Sequence, residues 1–174
     1  MAKYLVDPTG RERLFDRDEI IVSKTDLKGR ITYANHVFIR VSGFSEEELL
    51  GRPHSIIRHP GMPRCVFKLL WDTIQSGDEI FAYVINMAKN GDHYWVLAHV
   101  TPTFDPDGEI VGYHSNRRVP DPDAVATIKT IYDELLSIEQ ATSDPAQGME
   151  DASRRLVQLL QAQGLTYGEF VFGI

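Results

Sequence analysis

Residues 79–118 read EIFAYVINMAKNGDHYWVLAHVTPTFDPDGEIVGYHSNRR, and this stretch decides the architecture. Its runs 80–89, 94–104 and 110–118 are rich in β-branched and aromatic residues and predict three strands. Asn90 and Gly91 supply the positive backbone dihedrals of a tight hairpin between the first two. Asp105, Pro106, Asp107 and Gly108 turn the chain again before the third. Consecutive hairpins make an antiparallel meander.

Working back from the meander, residues 63–76 predict a helix. Val66, Phe67, Leu70, Trp71 and Ile74 recur at three- and four-residue spacing, Pro63 suits the first turn, and Gly77 stops it. Before it lie pieces too short for long helices: 35–41, 45–50 closed by Gly51, and a turn from Pro53. Ser45 followed by Glu48 predicts a capping box. Earlier still, Ile20, Ile21 and Val22, then Ile31 and Tyr33 across Asp26 to Gly29, predict a short hairpin after a polar, loosely ordered opening segment. The expected fold is α+β: a five-stranded antiparallel sheet with short helices on one face.

Working forward, Asp121 caps and Pro122 begins a helix with Val125, Ile128, Tyr132 and Leu135 on one stripe. Asp144 and Pro145 break it. A second helix over 149–163 ends at Gly164, and Tyr167, Phe170, Val171 and Phe172 form a docking segment. Residues 121–174 hold 9 acids against 3 bases, so most of the net charge of −7 sits in this helical hairpin. The expected division is an N-terminal cap over 1–17, a core domain over 18–120 and an acidic helical hairpin over 121–174 for dimerisation or output.

Composition narrows function. No stretch reaches the roughly 18 to 20 apolar residues of a membrane span, and no signal-peptide pattern opens the chain, so a cytoplasmic location is expected. An acidic chain offers no phosphate-backbone footprint, hence no nucleic acid. The single cysteine, Cys65, permits no internal disulfide and reads as a small buried hydrophobe. No nucleophile, base and acid assemble into a catalytic pattern, so no enzyme is expected. The 6 histidines fall in no HExxH pattern, and no zinc site is expected.

The element order resembles that of a PAS sensor domain, and particular residues sharpen the likeness. Asn35 through Phe38, Ser42, Gly43, Phe44, Glu47, Leu49 and Gly51 resemble the PAS signature. Pro53, His54, Ile57, Arg58, His59, Pro60, Met62 and Pro63, with Trp71, Gly77, Asn86, Lys89, Asn90, Gly91, Asp92, Tyr94, Trp95 and Val96, look like the PAS domain of bacterial aerotaxis receptors. The resemblance covers roughly residues 15–120. It implies noncovalent FAD, reporting of redox state or oxygen to a signalling partner such as a chemotaxis or histidine kinase component, and a homodimer. Carried over by position, Asn35, Arg58, His59, Trp71 and Asn86 match the family's flavin pocket. Gly61 and Ile80 depart from the family's aspartate and tryptophan.

The residue types themselves can serve a flavin: Phe67, Trp71 and Phe81 for stacking, Asn35 and Asn86 for the ring edge, Arg58 and Arg64 for phosphates. Each also has a structural role open to it. Asn35 can cap a helix, Trp71 can fill the core, Asn86 can bond backbone, and Arg58 and His59 can cap a surface loop. Two further functions remain open: a cofactor-free PAS adaptor or dimerisation module, and a haem-based gas sensor using His54 or His59.

Overall fold

The computed structural model describes residues 6–174, so residues 1–5 of the expected cap lie outside the described residues. Five strands form one antiparallel sheet in the order β2-β1-β5-β4-β3: β1 (Ile21–Thr25), β2 (Ile31–Ala34), β3 (Ile80–Met87), β4 (His93–Phe104) and β5 (Ile110–Arg118). Among the described residues six helices accompany it: α1 (His36–Ser42), α2 (Glu46–Leu49), α3 (Arg64–Gln75), α4 (Pro122–Gln140), α5 (Pro145–Gln163) and α6 (Tyr167–Gly173), with a 3₁₀ turn at His54–Ile57. The architecture is the α+β arrangement expected from the sequence, a five-stranded antiparallel sheet with the short helices on one face.

Local chemistry explains the punctuation. Ser45 accepts from the Glu48 N–H while Glu48 returns a bond to the Ser45 N–H, the predicted capping box. Thr166 and Glu169 form a second one, which makes the docking segment a helix rather than an extended tail. Asp144 caps α5 with Pro145 in its first turn, so this helix begins one turn earlier than the apolar spacing from Met149 suggests. The opening segment is tied down: the Thr9 N–H donates to the Gly91 carbonyl (2.9 Å), the His93 N–H to that of Arg11 (2.9 Å) and the Arg13 N–H to that of His93 (2.7 Å). Gly91 has φ +89°, and a side chain there would meet the Asp7 carbonyl at 2.3 Å. Glycine is what lets the segment lie against the hairpin.

Alternation in β3 and β4 divides two surfaces. Ala82, Val84 and Asn86 pair with Ala98, Val96 and Tyr94 on the inner face, towards α3. Phe81, Tyr83 and Ile85 face outward with His99, Leu97 and Trp95. That outer face is covered by the C-terminal helices. Tyr132 of α4 donates its hydroxyl to the Tyr83 carbonyl (2.7 Å) and stacks near Trp95 (6.3 Å), and Tyr83 donates to the Val171 carbonyl in α6 (3.3 Å). The predicted stripe of α4 is therefore spent on the chain's own core, in one cluster with the sheet.

Leu135, fully buried on that stripe, tests the docking. Leu135→Ala is expected to lower unfolding free energy by about 2–5 kcal/mol in chemical denaturation. A stripe that instead lies in a dimer interface would make this loss depend on protein concentration.

Candidate functional site

Between α3 and the inner face lies a cavity of about 540 Å³. One wall is helix: Phe67, Leu70, Trp71 and Ile74, spaced so that one face of α3 points inward. The opposite wall is sheet, contributed by Ser23 and Thr25 of β1, Val84 and Asn86 of β3, Ala98 and Val100 of β4, and Tyr113, Ser115 and Arg117 of β5. The 3₁₀ turn and its flanks add Pro53, His54, Ile57 and Arg58, and Met149 of α5 completes the lining. Trp71 meets Tyr113 edge to face at 5.4 Å, so the aromatic surface is braced across the cavity. Gly29 (φ +72°) allows the β1–β2 turn to lie over the Trp71 ring, since a Cβ there would come within 3.0 Å of it. Lys28, Arg58, Arg64 and Lys68 make the lining locally basic.

The polar chemistry of the wall centres on Arg117, 2% exposed. Its Nη2 donates to Ser23 Oγ (2.5 Å), and its guanidinium lies over the Phe38 ring at 4.4 Å. Burial lowers its pKa to about 10, so it stays a cation at neutral pH. Among the described residues no carboxylate pairs with it, and its Nε and Nη1 have no partner. Asn86 Nδ2 and Thr25 Oγ1, in the same wall, are likewise buried without a partner. A buried cation and unpaired donors carry a desolvation cost unless something accepts from them.

Ser23 links Arg117 to His54, whose Nε2 lies 3.0 Å from its hydroxyl. With Arg117 donating to Ser23, the serine proton satisfies a neutral imidazole at Nε2. Burial, then the Arg117 charge, holds His54 down to about 3. The ring also stacks on Phe38 at 6.0 Å. Cys65, beside this region on α3, is pushed up to about 12 by burial, with the Glu139 carboxylate adding to the effect, and is no reactive thiolate.

Of the seven residues singled out in the sequence, Arg58, Phe67, Trp71 and Asn86 meet in the cavity. Arg58 places its guanidinium 4.3 Å from the Phe67 ring centre and bridges to Asn86 through backbone. Three lie elsewhere. Asn35 caps α1: Oδ1 accepts from the Phe38 and Val22 N–H groups (both 3.0 Å) while Nδ2 donates to the Ile20 carbonyl (2.8 Å). His59 accepts from the Gly61 N–H at Nδ1 (2.9 Å) and tilts against His93. Phe81 stands five positions from Asn86 on one strand, hence on the opposite face, where it stacks on His99 at 4.0 Å. The departures have local reasons too: a Cβ on Gly61 would come within 2.9 Å of His59 Nδ1, and Ile80 is simply core. Sequence reading missed Thr25, Arg117 and Met149. An arginine at the inward phase of β5, with Tyr113 and Ser115, was the available signal for one of them.

Comparison with known proteins gives the family and the fold. The profile of the PAS fold family matches residues 31–117, and the chain belongs to that family. It is 41% identical over 118 residues to the aerotaxis receptor of Escherichia coli (strain K12), covering 68% of this chain and 23% of the receptor. It is 30% identical over 105 residues to the nitrogen fixation regulatory protein of Klebsiella pneumoniae, covering 60% of this chain and 21% of that protein. The chain thus spans less than a quarter of these relatives. Among solved structures, the dark state of the blue-light photoreceptor Aureochrome1 LOV superposes with a TM-score of 0.55 at 25% identity, over 68% of this chain and 86% of that one. A light-oxygen-voltage domain studied with a flavin analogue has the same fold, with a TM-score of 0.56 at 21% identity over 66% of this chain and 87% of that one. Among the described residues no helix is long and apolar enough to cross a membrane.

The depressed His54 pKa has a signed consequence. Below about pH 6.5 the unfolded imidazole takes up a proton that the folded one refuses until about 3, so stability falls as pH drops through this window. His54→Gln is expected to flatten that acid limb in urea titrations, and the His54 ring resonances should not titrate between pH 5 and 8. A His54 that titrates near its ordinary value contradicts the buried network.

Proposed function

We propose that this chain is a cytoplasmic, non-enzymatic PAS sensor that binds FAD in the cavity and reports redox state or oxygen to a signalling protein. The observation that carries this reading is the mismatch in the wall: buried Arg117 and Asn86 hold donors with no acceptor, among otherwise apolar and aromatic surface. An acceptor-rich, flat, largely apolar ligand answers that mismatch. A flavin ring has carbonyl and ring-nitrogen acceptors along one edge and an apolar opposite end. The cavity volume falls within the roughly 300–1,000 Å³ usual for ligand sites. Arg58 and Lys28, with Arg64 and Lys68 beside their carboxylate partners Glu139 and Asp72, bring cations to the lining that suit a pyrophosphate, which favours FAD over an uncharged flavin.

When bound, the flavin supplies a redox couple whose change of state alters charge and hydrogen bonding at its ring edge. The protein's part is to register that change. Asn86 can exchange its amide orientation to donate or accept, and it sits on β3, whose outer face holds α4 and α6 through Tyr83. A shift at Asn86 is thereby placed one strand thickness from the C-terminal helices. Reporting then runs through those helices to a partner of the chemotaxis or histidine-kinase class, or across a homodimer, in keeping with the receptor and regulator to which the chain is similar.

The haem alternative is weaker on geometry, because His54 Nε2 is engaged by Ser23 and His59 lies outside the lining. An absorption spectrum of the purified protein separates the possibilities. The two-banded near-ultraviolet and blue spectrum of oxidised flavin is expected, whereas one intense Soret band means haem and a bare protein spectrum means an adaptor. Asn86→Ala and Trp71→Phe are expected to lose flavin at least about tenfold more readily, the factor for one lost buried hydrogen bond or ring contact. Asn35→Ala should cost about 0.5–2 kcal/mol of stability yet leave flavin affinity alone. The reverse pattern overturns the cavity assignment.

A further inference from the structure

The region matched by the PAS family ends at residue 117, and the helical hairpin beyond it reaches the cavity. Helix α3 starts after Pro63, which offers no side-chain cap. Another element supplies one. Glu139, in the last turn of α4, accepts from the Arg64 N–H at Oε2 (3.1 Å) and the Cys65 N–H at Oε1 (2.8 Å), and from Arg64 Nε (3.2 Å). It is 6% exposed. A carboxylate at the C-terminal end of its own helix faces that helix's negative pole, so its position is favourable only because α3 presents free N–H groups and Arg64 presents a cation.

A second contact fixes the hairpin over the cavity. A Cβ on Gly148 of α5 would lie 2.5 Å from the Glu139 carbonyl, so glycine sets the closest approach of α5 to the capping residue. The next residue, Met149, is a cavity wall residue. Arg64 belongs to the same lining, and thus touches both the cavity and the cap.

We propose that the corner from the last turn of α4 to the first turns of α5 is a lid on the ligand cavity, latched by Glu139 on the first turn of α3 and carrying Met149 as the residue that completes the wall, while the rest of α4 stays on the outer face of the sheet. The identity of the ligand rests on the proposed flavin function; the latch does not. The turns of α3 that follow the latch carry Phe67 and Trp71, so release of Glu139 loosens the aromatic wall as well as the lid. A ligand that contacts Met149 favours the closed lid, and by linkage an opened lid holds the ligand less tightly.

The test uses the whole chain of 174 residues and three variants. Glu139→Gln removes the charge and one acceptor, Gly148→Ala forces α5 away while keeping the carboxylate, and Met149→Ala opens the wall without touching the latch. Flavin dissociation is followed by the rise in flavin fluorescence, amide exchange at Arg64 and Cys65 by NMR, and access to the cavity by acrylamide quenching of Trp71 in a Trp95→Phe background. Glu139→Gln and Gly148→Ala are expected to speed both exchange and flavin release at least about tenfold, the factor for one charge-assisted hydrogen bond. Met149→Ala should speed release with exchange unchanged. Exchange that stays at the parent rate in Glu139→Gln overturns the latch. Faster exchange with unaltered release and unaltered quenching makes Glu139 a cap and no more, which overturns the lid. A parent protein that purifies without flavin overturns the proposed function alone, and Trp71 quenching then decides the lid.

Discussion

Strands β3 and β4 carry apolar side chains on both faces, and a sheet of that kind cannot leave either face in water. Tyr83, Ile85 and Trp95 look outward while Ala82, Val84 and Ala98 look inward, and all six are buried. Burying a side chain of this size contributes about 1.5–3 kcal/mol, so leaving one face bare would forfeit much of the stability of a domain this small. The inner face is met by α3 and the short helices. The outer face is met by α4 and α6, which follow the sheet in the chain and fold back across it. The C-terminal helices are thus a requirement of the sheet.

The two coverings differ in quality, and the difference makes the site. On the outer face the Tyr132 and Tyr83 hydroxyls each reach a backbone carbonyl. On the inner face the packing stops short, leaving the cavity, and buried Arg117, Asn86 and Thr25 have polar atoms that nothing in the described chain satisfies. Core polar groups are ordinarily paired. These exceptions around one void suit the ligand proposed for it. The hairpin joins the two surfaces, since α4 starts on the outer side of the sheet and ends at the α3 N-terminus, and Met149 then returns to the void.

What was legible in the sequence was local or periodic. The hairpin at Asn90 and Gly91, the Ser45–Glu48 box and the apolar stripe of α3 depend on residues a few positions apart, and each formed in place, although in the hairpin Gly91 takes a positive φ and Asn90, contrary to expectation, does not. The candidate site was legible where a residue's environment contradicted its type, as with Asn86 in an apolar strand. It was less so for Asn35, whose capping and ligand roles predict the same residue at the same place; three hydrogen bonds to β1 and α1 decide for the cap. Phe81 could have been assigned by parity along β3. The network of Ser23, His54 and Arg117, and the reach of Glu139 to Arg64, join residues 31 to 94 positions apart. Only the tertiary fold brings these together, so no spacing rule announces them.

The central claim is that one cavity holds a redox-active ligand whose state is transmitted to the chain's own C-terminal helices. The most direct measurement compares amide exchange of the whole protein, anaerobically, before and after chemical reduction. The account predicts altered protection confined to β3, the first turn of α3 and the α4–α5 hairpin, with β1 and β2 unchanged. Identical exchange in the two states, or a change spread evenly over the sheet, would contradict it.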